Sequence, residues 1–267
     1  MARYVLPVVL LILGGIAHAD TLSIADGGAT FEYRSDDAAG TGNADLTLDG
    51  VDLSFDESWF LQLAGGTEEL LAGTFTDFGP GFGSLLFTDA SGDLELEVIY
   101  GITDLSGALI LDFEAILTNF GTDTISGELV NYLDFDLPDG GADEGFFDDF
   151  GVGDDVFVTV DDTAGGPTGH FADRLFEEAD GAEIDEFDSL LTRVKAGTTL
   201  GRTDNGFLDG NFTAAGGWSF ELAGGEDVAF FGSTLAAAAV PEPSSFFAFT
   251  VAALGLLFRR RRNSLFA

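Results

Sequence analysis

The chain of 267 residues sets 47 acidic side chains against ten basic ones, for a formal charge of −37, and contains no cysteine. Charge of that sign repels phosphate backbones, whose binding depends on cations that displace counterions, so nucleic acid and anionic lipid headgroups are excluded as partners. Disulfides, thiol chemistry and thiolate-bound metals are excluded with the cysteines, and a single histidine, His170, remains once His18 is assigned to the leader.

The leader comes first. Arg3 supplies one positive charge, Val5–Ile16 is an apolar run of 12 residues, and Ala17-His18-Ala19 offers the small residues that a signal peptidase accepts. The run is too short for a permanent span, which needs about 20 apolar residues. Residues 1–19 therefore read as a secretory signal peptide, cut after Ala19 to leave Asp20 as the new terminus.

Asp20–Ala239 follows as one acidic domain. The 27 phenylalanines of the full chain and the domain's repeated apolar alternation argue for a packed core rather than disorder. Leu46 and Leu48 alternate with polar residues up to Asp49-Gly50, and Val51, Leu53 and Phe55 continue beyond it. Asp-Gly between two such runs predicts a hairpin with a type I′ turn. Trp59, Leu61 and Leu63 prolong the pattern to Gly65-Gly66. Leu85–Thr88 and Leu94–Tyr100 flank a turn at Asp89–Asp93. Leu109 to Leu117 forms a long strand that ends at Asn119–Asp123, and Leu129–Leu137 returns from it. Val156, Val158 and Val160 make a further strand. Trp218, Phe220 and Leu222 are expected to pair across Gly224-Gly225 with Val228 and Phe230. Ile184, Phe187, Leu190, Leu191 and Val194 instead fall at helical spacing, with Arg193 and Lys195 placed to complement the dipole, which predicts a helix over Glu183–Lys195. The sum is an all-β fold, an antiparallel β-sandwich or jelly-roll-like domain with one short helix.

The last 28 residues, 240–267, are of a different kind. Val240-Pro241-Glu242-Pro243-Ser244 precedes Phe246–Phe258, which has no charge, and Arg259, Arg260, Arg261 and Arg262 follow at once. Thirteen helical residues reach about 20 Å, less than a hydrocarbon core of about 30 Å. Four arginines on the C-terminal side stay in the cytoplasm, which puts the acidic body across the membrane, as the signal peptide does. This tripartite tail resembles the PEP-CTERM sorting signal of Gram-negative bacteria. The resemblance implies processing near Pro241-Glu242-Pro243 by an exosortase, an integral-membrane transpeptidase. It also implies delivery to the cell surface or an exopolysaccharide matrix, with only a transient anchor in the inner membrane through the C-terminal segment. The body is also similar to one group of PEP-CTERM proteins, at Gly166–Phe171, Leu190-Leu191 and Trp218–Phe220, a group that carries no activity to transfer.

The search for chemistry gives three candidates. A nucleophilic triad would have to use His170, and no serine lies in a Gly-x-Ser-x-Gly elbow; paired carboxylates are uninformative in a chain so rich in them. A non-enzymatic surface or extracellular-matrix protein is the leading expectation. Calcium is the candidate cation, because Asp134, Asp136, Asp139 and Asp143 crowd one strand end and loop and hard cations take six to eight oxygens. The EF-hand pattern fails there, since Pro138 and Asp139 fall where a ligand and a glycine belong, and solvated acidic loops are the competing reading. Extracellular polysaccharide is the third candidate, through Trp59 or Trp218 as a sugar platform, although both sit at alternating strand positions that suit a core.

The charge makes one expectation independent of fold. Only Arg34, Arg174, Arg193, Lys195 and Arg202 oppose the acids of the body, so its carboxylates repel one another at low ionic strength. Thermal melts of residues 20–239 should rise from low salt to molar sodium chloride as screening shortens. A single lysine and far more Asp than Glu suit life in saline water, and a melting temperature that is flat or falls with salt contradicts that reading.

Overall fold

The computed structural model describes residues 21–34, 43–54, 56–70, 72–135, 143–149, 156–162, 171–203, 208–210 and 212–237. In chain order the strands begin with β1 (Thr21–Asp26), β2 (Ala29–Arg34), β3 (Ala44–Leu48), β4 (Val51–Ser54), β5 (Asp56–Leu63) and β6 (Gly66–Leu70). They continue with β7 (Ala72–Gly79), β8 (Phe82–Thr88), β9 (Leu94–Asp104), β10 (Ala108–Asn119), β11 (Ile125–Asp134), β12 (Asp143–Asp149) and β13 (Val156–Asp162). After β14 (Phe171–Glu177) and β15 (Gly181–Glu186) comes the one helix among the described residues, α1 (Phe187–Lys195). The last are β16 (Arg202–Thr203), β17 (Leu208–Gly210), β18 (Phe212–Leu222) and β19 (Asp227–Ala237).

Three sheets share one core. The largest has nine strands in the order β17-β12-β13-β14-β19-β10-β9-β8-β7, and the second has six, β16-β15-β18-β11-β5-β6. The third is the meander β1-β2-β3-β4. Except for the short β15–β16 pair, every pairing is antiparallel. The six-stranded sheet and the meander both pack on the inner face of the nine-stranded sheet, and a single apolar cluster runs through all three. Phe31 of the meander lies 4.7 Å from Tyr100 of β9, and Trp59 of β5 lies 5.4 Å from Phe113 of β10, measured between ring centroids. Each such side chain contributes about 1.5–3 kcal/mol when fully buried. This is the antiparallel sandwich that the alternation calls for.

Local chemistry explains the turns. Asp49 and Gly50 both have positive φ, 52° and 80°, as a type I′ hairpin between β3 and β4 requires. The strand pairs β5–β6, β7–β8 and β8–β9 are likewise hairpins.

Two expected hairpins are not hairpins. β10 pairs with β9 and β19, whereas β11 pairs with β5 and β18. The connection over residues 120–124 therefore crosses from one sheet to the other. The same holds for β18 and β19, which lie in opposite sheets and face each other across the core, with Trp218 5.6 Å from Phe230. Both crossings are tied by Asn119, which is fully buried. Its Nδ2 donates to the carbonyls of Asp123 and Leu222, its Oδ1 accepts from the amide of Gly121, and its backbone exchanges bonds with Gly225 and Glu226. Gly224 fits there because a Cβ would stand 2.6 Å from the carbonyl oxygen of Gly121.

The helix is also shorter than the periodicity predicts. Residues 183–186 belong to β15, where Ile184 enters the core and Glu183 and Asp185 point the other way. α1 begins only at Phe187, and its Leu190 and Val194 cover Phe60, Val130 and Ala215 on the outer face of the six-stranded sheet. The apolar spacing at 184 and 187 was compatible with either element; pairing with β18 decided it.

Candidate functional site

Among the described residues the largest fully buried charged side chain is Arg174, on β14 of the nine-stranded sheet, with no exposed surface. Its Nη2 donates to Glu57 Oε1 of β5 at 3.0 Å and to Asn131 Oδ1 of β11 at 2.5 Å. Its Nη1 donates to Thr234 Oγ1 at 2.6 Å, and Asn131 Nδ2 completes the ring by donating to Glu57 Oε1 at 3.0 Å. The guanidinium also lies 4.6 Å from the centre of the Phe113 ring. Gly232 makes this possible, since a Cβ there would collide with Phe113 at 2.4 Å. The ion pair joins the two sheets through the interior and is closed to solvent, so it holds the fold and receives no ligand.

Trp59 and Trp218 are part of the same interior. They are 0% and 2% exposed and stack on each other at 6.5 Å. Trp59 Nε1 donates to the hydroxyl of Tyr100, and Trp218 Nε1 to the carbonyl of Glu177. Neither indole can offer a platform to a sugar. Burial pushes the hydroxyls of Tyr33 and Tyr100 well above the usual tyrosine range, so both stay neutral beside Glu57.

The outer face of the six-stranded sheet is latched by cations. Arg193 of α1 pairs with Glu183 and with Asp185, the latter at 2.9 Å, and Lys195 pairs with Glu69 at 3.3 Å. Glu183 also accepts the amide of Gly201, and Gln62 Nε2 donates to the carbonyl of Val194. Glu128 is enclosed beneath this segment. Burial raises its carboxyl above the ordinary glutamate value, a hydrogen bond donated by the backbone amide of Leu200 acts against the rise, and Asp180 and Glu183 add to it. With Arg34 bridging Glu32 and Asp45 on the meander, each cation whose side chain is described holds two elements or two sheets together.

The outer face of the nine-stranded sheet is different. Because Phe113, Gly232 and Arg174 point inward, their neighbours in sequence point out. Register then sets Glu177, Phe231, Glu114, Ile99 and Ser84 in one row across β14, β19, β10, β9 and β8. The next row holds Ser233, Asp112 and Gly101, with the Phe82 ring lying against Gly101, and the row beyond holds Leu235, Ile110 and Thr103. Phe231, Glu114, Glu177, Ile99 and Ile110 are all partly exposed, and Asp112 is exposed. Ser84 and Leu175 on this face are buried, and between them lies a surface on which apolar side chains alternate with carboxylates. Sequence reading missed it because Phe230-Phe231 alternates apolar on both faces and hides which one is outside.

The acidic loop divides. Asp134 lies within β11 and is only 3% exposed, opposite Asp56 and Thr213, so it is not a solvated loop carboxylate. Asp143 opens β12, paired with Asp162 and Gly210, while Asp136 and Asp139 lie outside the described residues, as does His170. Among the described residues no three acidic or histidine side chains come together to hold a metal, and no helix is long and apolar enough to cross a membrane. Ala17, Ala19, Pro241–Pro243, Phe246–Phe258 and Arg259–Arg262 also lie outside them.

Comparison with known proteins adds two findings. Residues 239–262 match the PEP-CTERM protein-sorting motif, so the chain carries the signal of an exported protein sorted through an exosortase. No curated protein matches the chain. Among solved structures, a bacterial glucoamylase complexed with acarbose shares 12% identity at a TM-score of 0.56, over 90% of this chain and 36% of that one. A GH36 α-galactosidase from Geobacillus stearothermophilus shares 11% at 0.47, over 82% of this chain and 40% of that one. A galactose mutarotase-like protein from Lactobacillus casei shares 10% at 0.44, over 81% of this chain and 99% of that one. The glucoamylase likeness is one of fold, and this chain spans about a third of that protein's length.

The environment of Glu128 makes a pH prediction. A carboxyl whose folded value is raised contributes stability below its unfolded value, near 4.5, and loses it as pH climbs through the folded value. Replacing Glu128→Gln keeps the oxygen that accepts the Leu200 amide and removes the charge. The variant should therefore melt a few degrees or less above the parent at pH 7 and together with it below pH 4.5. A variant that melts lower at pH 7 would show that the ionised carboxylate stabilises this face.

Proposed function

We propose that this protein is a non-enzymatic component of the cell surface or extracellular matrix, and that it holds neutral polysaccharide on the open face of its nine-stranded sheet. The observation that carries the reading is the row Glu177, Phe231, Glu114, Ile99, with Asp112 beside it. A pyranose presents an apolar face of C–H groups and a rim of hydroxyl donors. Phe231 and Ile99 suit the first, and carboxylates, which only accept hydrogen bonds, suit the second. Spacing along a sheet repeats every 4.7–4.9 Å between strands, which fits a polymer laid across several strands better than one small molecule in a pocket.

Charge sets the specificity. A body this acidic repels uronic-acid and sulfated polymers, so the partner is a neutral glycan. The fold shared with a glucoamylase complexed with acarbose supports a carbohydrate-facing reading. Delivery follows from the sorting motif, with signal peptidase and exosortase acting before the glycan is met.

Two variants separate delivery from binding. With Pro241, Glu242 and Pro243 replaced by Ala, the chain should remain in the membrane fraction with its tail attached. With Phe231→Ser and Glu114→Gln it should be exported at its normal mass but washed from the producer's neutral exopolysaccharide, with affinity at least about tenfold weaker, a loss of about 1.4 kcal/mol. Equal retention of that variant and the parent would remove the open face as the binding surface.

A further inference from the structure

At the end of the sandwich from which the tail departs, apolar side chains are left uncovered. β19 ends at Ala237, which pairs with Ala108 at the start of β10. The amide of Leu105 donates to the carbonyl of Ala108, and the amide of Ile102 donates to the carbonyl of Gly81 in the β7–β8 hairpin. The β7–β8 tip, the β9–β10 turn and the exit of the tail therefore lie together. Four large apolar side chains are exposed among the described residues, and three of them are here: Phe78 at 50%, Phe82 at 57% and Leu105 at 39%. The fourth, Phe120 at 64%, stands beyond the far end of β10, twelve residues and about 40 Å away.

We propose that this end rests on zwitterionic lipid while the tail is still lodged in the membrane, with Phe78, Phe82 and Leu105 inserted at the level of the headgroups. The proposal rests on the reading of Phe246–Phe258 as a membrane-lodged segment. Eight residues separate Ala237 from Phe246, a reach of at most about 32 Å. That tether holds the patch at a high effective concentration beside the bilayer, so a surface too small to bind lipid alone can still engage it. Three carboxylates at this end accept hydrogen bonds from backbone amides. Asp77 accepts from Gly79, Asp26 accepts from Asp104, and Asp104 accepts from Gly28 and Ser106. The bonds to Gly79 and Ser106 are local, and those between Asp26 and Asp104 and between Asp104 and Gly28 tie the β1–β2 turn to the end of β9. The contact ends when the tail is cut, and the same patch then becomes free.

The absence of cysteine allows a clean test. The exported, tail-bearing chain is taken from cells without the sorting peptidase and reconstituted in phosphatidylcholine vesicles with brominated acyl chains. A fluorophore at Leu105→Cys should lose most of its emission to the bromine, and one at Phe120→Cys should lose none. Adding Phe78→Ser and Phe82→Ser to the Leu105→Cys chain should restore the emission. Equal quenching at both positions, or quenching at neither, overturns the proposal. Shielding of Leu105→Cys that appears only in membranes containing the peptidase would overturn it too, by placing that enzyme rather than lipid on the patch.

Discussion

A guanidinium with no exposed surface joins the two main sheets of this protein, and much else in the molecule is arranged around it. Arg174 reaches from β14 across the core to Glu57 and Asn131, and every partner it finds is itself buried. Removing two charges from water costs several kcal/mol per ion, so such a pair persists only where hydrogen bonds satisfy it closely. Asn131 and Thr234 supply those bonds to the two terminal nitrogens, Nε is left without a hydrogen-bond partner, and Phe113, Phe176, Trp59 and Trp218 keep water out. Because neither ion is tolerated alone, the pair also fixes how β14 and β5 register across the core, which apolar packing by itself would leave looser.

The scarcity of cations gives this arrangement its wider sense. Ten basic residues stand against 47 acidic ones, and half of the ten lie in the two ends of the chain. Arg174 bridges the sheets, Arg193 and Lys195 pin α1 to the sheet beneath it, and Arg34 ties β2 to β3. Positive charge is thus spent inside and between elements, and the outer surfaces are left acidic. A protein with such a surface repels copies of itself. On the function proposed above, it meets a neutral polymer through the partly apolar face of its nine-stranded sheet without sticking to anionic ones.

Much of the local structure was legible in the sequence. Alternation marked the strands, and Asp49-Gly50 named its own turn, because positive φ at two successive positions is a local requirement. Which sheet a strand joins was not legible. The runs before and after Gly224-Gly225 look like a hairpin, yet Asn119 and its bonds send β18 and β19 into opposite sheets. That decision is made by a residue a hundred positions away. Ile184 and Phe187 fit a helix and a strand equally well until β18 lies alongside. Arg174 carried no signal beyond its type, since Glu57, Asn131 and Thr234 come from three distant strands. The buried place of Trp59 and Trp218 followed from alternation, whereas the exposure of Phe231 beside buried Phe230 needed the register of β19 against β10 and β14.

The claim that Arg174 and Glu57 act as one unit is tested most directly by a double-mutant cycle in urea, read by the fluorescence of Trp59 and Trp218, which lie beside the pair. Arg174→Met alone should cost about 3–5 kcal/mol, since it strands a buried carboxylate. Glu57→Gln alone should be similarly severe, because it strands the guanidinium. The double variant should be far less unstable than the sum, with a coupling energy of about 2 kcal/mol or more. Additive losses, with a coupling near zero, would show that the two sheets are held by apolar packing alone and that the buried pair is incidental.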